Sequence, residues 1–144
     1  MIVTQLLQNK GGTVFTIAPN ATMYAALELM AQKDIGALLV TEGDQVAGIL
    51  SERDYARKVA LKGKIPETAL VSEIMTSDVI YVSPDETIEE CMALMTNKRV
   101  RHLPVIANGK LVGLVSIGDV VKSLIANQEF LIGELEKYIV GARH

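Results

Sequence analysis

The chain has no tryptophan, only two phenylalanines and four tyrosines among its 144 residues. So few rings exclude a stacking platform for single-stranded nucleic acid, which needs exposed aromatics beside positive charge. An excess of basic residues is missing too. With 14 Lys and Arg against 17 Asp and Glu the net charge is −3, which argues against a nucleic-acid partner. One cysteine, Cys91, permits no internal disulfide, and it sits among Ile88, Met92 and Met95 as a buried, inert thiol would. There is no signal peptide and no apolar run near the length of a membrane span, so a soluble, cytoplasmic chain without membrane contact is expected. His102 has no second His or Cys at ligand spacing, which argues against a metal site. Phosphate-binding loop, G-x-G-x-x-G, H-E-x-x-H and G-x-S-x-G motifs are all absent, and no acid/base pair is laid out. An enzyme is therefore not expected.

What is present is aliphatic: 49% of residues are hydrophobic and 22% charged, enough for one domain or two half-size units sharing a core. The second possibility fits, because the chain repeats itself. Shifted by 65, residues 14–60 align with 79–125 without a gap, pairing Pro19 with Pro84, Thr22 with Thr87, and Leu38 with Leu103. "GILSERD" (48–54) returns as "GLVSIGD" (113–119), with Gly48/Gly113, Ser51/Ser116 and Asp54/Asp119 in register. The segments before each repeat match at a different shift: "VTQLL" (3–7) pairs with "VSEIM" (71–75), 68 apart. The three-residue difference falls near Asn9-Lys10-Gly11-Gly12, a turn signal.

Each unit reads β-α-β-β-α. "TVFTI" and "DVIYV" are β-branched and extended, each stopped near a proline. Helices follow with apolar residues at Met23, Ala26, Leu27 and Met30, and at Ile88, Cys91, Met92 and Met95. Asn20 or Thr22 is placed to cap the first. "ALLV" and "LPVI" read as buried strands, and "QVAGIL" and "KLVGLV" as their hairpin partners. A second helix starts at Ser51 and Ser116 as N-caps, and Gly48 and Gly113 suit a tight strand or the close approach of a neighbouring helix. The pattern divides the chain into a first repeat with its lead-in (1–62), a linker (63–70), a second repeat (71–127) and a helical extension (128–144). Residues 119–140 carry an apolar stripe, with an interruption expected near Gly133 and a second subunit or the protein's own core as the surface it covers.

Two such units with matching "G-aliphatic-aliphatic-S-x-x-D" phrases, together with "RHLPV" (101–105) and "EIMT" (73–76), resemble a tandem pair of cystathionine-β-synthase (CBS) domains. The resemblance implies an α+β fold (α/β-type) of two repeats packed sheet to sheet about a pseudo-two-fold axis. It also implies a regulatory module with two clefts that bind AMP, ADP, ATP or NAD(H), with S-adenosylmethionine less favoured. A homodimer acting on an unknown regulated protein completes the picture.

Carried over by position, Asp54 and Asp119 match the carboxylate that accepts hydrogen bonds from ribose hydroxyls, and Ser51 and Ser116 the cleft hydroxyl. Thr16 and Tyr81 lie on the first strands near base or ribose, Thr16 fitting better. Ile35, Gly36 and Ala37, and the basic cluster Arg99, Arg101 and His102, precede the second strands, where adenine and phosphate are met. Arg53, Arg57 and Lys58 follow the first motif; Pro104 and Gly118 complete the candidate contacts in the second repeat, Pro104 reading equally as structural. The serines and aspartates also read as plain helix caps, and the charges as a solvated face. Because Arg53 stands where the second motif has Gly118, and "IGALLV" has no basic residue against "VRHLPV", the clefts are expected to differ. The rival function is a ligand-independent dimerisation or protein-interaction module.

Overall fold

A computed structural model describes residues 1–11 and 13–142; Gly12 of the glycine turn lies outside the described residues. Helix α1 (Val3–Lys10) leads in. The first repeat then runs β1 (Thr16–Ile17), α2 (Met23–Lys33), β2 (Ala37–Glu42), β3 (Gln45–Ser51) and α3 (Glu52–Asp54), which continues as a π-helical stretch (Tyr55–Ala60). A second lead-in, α4 (Val71–Ile74), precedes α5 (Ile88–Lys98), β4 (His102–Ala107), β5 (Lys110–Ser116) and α6 (Ile117–Ala142).

The two halves repeat each other in detail. In each, a hairpin of matched strands pairs Ala37 with Ser51 and His102 with Ser116. Each hairpin slips register once, leaving Ala47 and Val112 as the extra residues just ahead of Gly48 and Gly113. Thr22 and Thr87 cap α2 and α5, their Oγ1 atoms accepting from Ala25 N (3.1 Å) and Glu90 N (3.0 Å). Of the two cap candidates for α2, Thr22 is therefore the one used. Both helices end in a left-handed residue, Asp34 (φ 53°) and Arg99 (φ 55°). Thr22→Ala and Thr87→Ala should each lower unfolding free energy by about 1 kcal/mol in denaturant melts; a change in neither would mean the caps are idle.

Two expectations are corrected. "DVIYV" does not form a strand: only Val82 bridges, to Val105, donating to Pro104 O (3.0 Å) and accepting from Ile106 N (3.0 Å). Residues 78–80 leave the sheet to line a cleft instead. Helix α6 is not broken at Gly133, where no neighbouring atom lies within 4 Å, so nothing forces a kink.

The lead-ins cross over. Val3 and Leu6 of α1 are buried in the core of the second repeat with Ile88, Cys91, Leu103 and Val115. Val71 and Ile74 of α4 are buried in the core of the first, with Met23, Met30, Leu38 and Leu50. The anchoring bonds match: Val3 N donates to Glu86 O and Val71 N to Ala21 O, both at 2.8 Å. Cys91, fully buried, is an inert thiol, because burial and the nearby Glu86 and Glu90 push it up to about 11.

Candidate functional site

The crossover places the segment between α4 and α5 over the end of β3. Ile49 and Thr76 exchange two backbone hydrogen bonds (3.0 and 2.9 Å), so residues 76–80 form one wall of a cleft whose other walls are the two repeats. The cavity measures about 860 Å³, within the range of small-molecule sites. The first repeat contributes Gly36, Ala37, Ile49, Ser51, Glu52, Arg53, Asp54 and Arg57, and the second Arg99, Val100, Arg101 and His102.

Asp54 is held in place before any ligand arrives. Its Oδ2 accepts from Ser51 N (2.9 Å) and Ser51 Oγ (3.0 Å), while Ser51 Oγ accepts from Asp54 N (3.2 Å), a reciprocal capping box. Oδ1 faces the Lys58 ammonium at 3.3 Å, which also donates to Ile74 O (3.0 Å). The cap reading and the binding reading are thus compatible, since a carboxylate has about four acceptor positions and the cap uses one oxygen. Four guanidiniums (Arg53, Arg57, Arg99, Arg101) face three carboxylates (Glu52, Asp54, Asp78) in the lining. His102 adds no charge near neutral pH: burial pushes its pKa down, Asp119 opposes this, and Lys10 and Arg101 push it further down. The positive charge of this cleft rests on arginines, whose charge does not titrate.

Of the candidates from sequence, Gly36, Ala37, Ser51, Arg53, Asp54, Arg57, Arg99, Arg101 and His102 meet in this one cavity. The other eight lie outside its lining. Thr16 is exposed on β1, Tyr81 is exposed, Pro104 is buried in β4, and Ile35 packs on the first core. Lys58 stands behind Asp54. Ser116, Gly118 and Asp119 open α6, where the cap recurs: Asp119 Oδ2 accepts from Ser116 N (2.9 Å) and Ser116 Oγ from Asp119 N (3.1 Å). Lys10 also reaches that carboxylate, with Nζ 2.6 Å from Oδ2. Thr76, Asp78, Val79 and Ile80 were not anticipated as lining. Their signal was the change of shift from 68 to 65, which falls between lead-in and repeat.

A family model for the CBS domain matches residues 12–61 and again 71–126. The chain belongs to the CBS-domain family. A CBS-domain protein of Burkholderia ambifaria, 53% identical, superposes with a TM-score of 0.85 over 89% of this chain and 96% of its own. The mitochondrial CBS domain-containing protein CBSX3 of Arabidopsis thaliana is 36% identical over 96% of this chain and 72% of its own length. A hexameric CBS-CP12 protein of bloom-forming cyanobacteria is 31% identical, with a TM-score of 0.74 over 84% of this chain and 66% of its own. The tandem CBS architecture and its α+β class are therefore as the repeat implied, and CBS-domain proteins are regulatory modules. Among the described residues no cluster of His, Cys, Asp or Glu could hold a metal ion, and no helix is long and apolar enough to cross a membrane.

Proposed function

We propose that this CBS pair senses an adenosine nucleotide carrying two or more phosphates, bound in the cleft of Asp54. The observation that carries the reading is the meeting, in one cavity, of a pre-positioned carboxylate and four arginines drawn from both repeats. Asp54 suits a ribose diol, because an ionised carboxylate accepts from two hydroxyls without offering a competing donor. Arg53, Arg57, Arg99 and Arg101 suit a polyphosphate or pyrophosphate, which guanidiniums grip bidentately. ATP, ADP and NAD(H) fit this charge better than AMP or S-adenosylmethionine. Because the ligand touches both repeats and the crossing segment 76–80, its binding favours one relative placement of these elements, and a partner protein reads that placement. A homodimer agrees with the exposed apolar side chains of α6, Val121, Ile125, Phe130, Leu131 and Leu135.

The test is calorimetric titration of nucleotide-free protein with AMP, ADP, ATP, NAD, NADH and S-adenosylmethionine. ATP or ADP should bind at least tenfold tighter than AMP. Asp54→Ala should weaken binding by about 10- to 100-fold, the loss expected when a charged hydrogen-bond partner is removed. Unchanged affinity in Asp54→Ala would overturn the site. No binding by any of the six would leave the protein-interaction reading, which the exposed face of α6 favours.

A further inference from the structure

Helix α6 outlasts the repeat to which it belongs. Val120 is buried in the second core and Leu124 packs against it, but from Ile125 to Lys137 every residue except Gly133 is exposed. Four large apolar side chains stand in that stretch, Phe130, Leu131, Ile132 and Leu135, each 51 to 64% exposed. A helix this short is marginal in water unless an apolar face is covered. The fold of a repeat does not ask for such a face. Aligned 65 apart, Val121 and Ile125 correspond to Ala56 and Ala60 on the helical stretch of the first repeat.

Gly118, Val121, Ile125, Gln128, Ile132 and Leu135 alternate three and four apart, the spacing of a two-helix seam. The stripe complements itself in one direction only. In a parallel pair each seam residue meets its own copy, and the flanking Glu129 and Glu136 fall beside leucines, with no charge answered. In an antiparallel pair Val121 faces the partner's Ile132 and Ile125 the partner's Gln128. Gly118, which carries no side chain, then leaves room for the partner's Leu135. That register also sets Lys122 against the partner's Glu129, and Leu124 against the partner's Leu131. A two-fold axis makes every one of these contacts twice. Among the described residues neither Lys122 nor Glu129 has an ion-pair partner in its own chain.

We propose that α6 is the docking surface for a second copy of this chain, with the two α6 helices antiparallel in that register. The inference deepens the homodimer reading given above by naming its face. Apolar layers supply the area, and the Lys122 pairs fix direction and register.

The experiment is sedimentation equilibrium on the full-length protein. The wild type should dimerise, and Ile132→Asp should raise the dissociation constant at least about tenfold, because a charge enters the seam twice. Lys122→Glu and Glu129→Lys should each weaken the dimer about tenfold, and the two together should recover most of the loss. Oxidation supplies a second measurement. Val121→Cys combined with Ile132→Cys should give a covalent dimer, whereas Val121→Cys alone should not, since its copy lies eleven positions away along the partner helix. A covalent dimer from Val121→Cys alone, or no recovery in the double charge exchange, overturns the antiparallel register and with it the proposal. A wild-type dimer indifferent to Ile132→Asp overturns this face while the homodimer reading stands. A monomeric wild type defeats both.

Discussion

Ile74→Ala should destabilise the first repeat, although Ile74 lies in the lead-in to the second. Its side chain is fully buried in the cluster of Met23, Met30, Leu38, Leu50 and Val59. Truncating a buried isoleucine removes its transfer free energy and leaves a cavity, together about 2–5 kcal/mol. That is a large part of the roughly 5–15 kcal/mol that holds an ordinary domain folded. Native-state hydrogen exchange should show protection falling most in α2, β2 and the π-helical stretch. Leu6→Ala should produce the mirror result, loosening α5, β4 and β5, because Leu6 is buried with Ile88, Cys91 and Leu103. Neither repeat owns a complete core, so a chain cut between the repeats lacks the apolar plug each half needs. A loss below 1 kcal/mol for Ile74→Ala, or protection lost chiefly in α5 and β4, would contradict the crossover.

The crossover was the least legible part of the fold. The apolar pattern of Val3, Leu6, Val71 and Ile74 says that these residues are buried, but periodicity does not say which sheet they cover. The hairpins, the α2 and α5 helices, and the α2 cap as one of Asn20 or Thr22 were legible because each depends on residues close in sequence. The strand expected at "DVIYV" failed because its β-branched residues compete with a cleft wall, and only Val82 finds two backbone partners. The expected break at Gly133 failed for a simpler reason: one glycine in an exposed helix costs only about 1 kcal/mol relative to alanine. At the site, Ser51 and Asp54 were legible as a duplicated pair. Their company was less so, since Arg99, Arg101 and His102 belong to the second repeat yet line the cleft of the first. The shared register of two repeats identifies equivalent residues without revealing which of them become neighbours.

The two glycines in register, Gly48 and Gly113, should respond unequally to the same substitution. A Cβ at Gly48 would lie 2.6 Å from Met75 Sδ and 2.8 Å from the Thr76 carbonyl oxygen. The methionine can swing aside, but Thr76 is fixed by its two hydrogen bonds to Ile49, so the backbone itself must yield. The three atoms nearest a Cβ at Gly113 would all belong to Leu7: its two methyl carbons, both at 2.7 Å, and the branch carbon between them at 3.3 Å. That side chain can turn to another rotamer. Overpacking costs typically about 1–3 kcal/mol, and Gly48→Ala should fall at the upper end while Gly113→Ala falls at or below the lower. The difference should reach function as well. Ile49 and Thr76 both line the Asp54 cleft, so pushing Thr76 off β3 widens that cleft, and Gly48→Ala should weaken ATP binding. Gly113→Ala should leave it unchanged, because Leu7 and Gly113 are not part of that lining. Denaturant melts and ATP titrations of the two variants side by side decide the matter, and equal costs with equal affinities would mean that the Thr76 backbone is not the rigid neighbour its bonds imply.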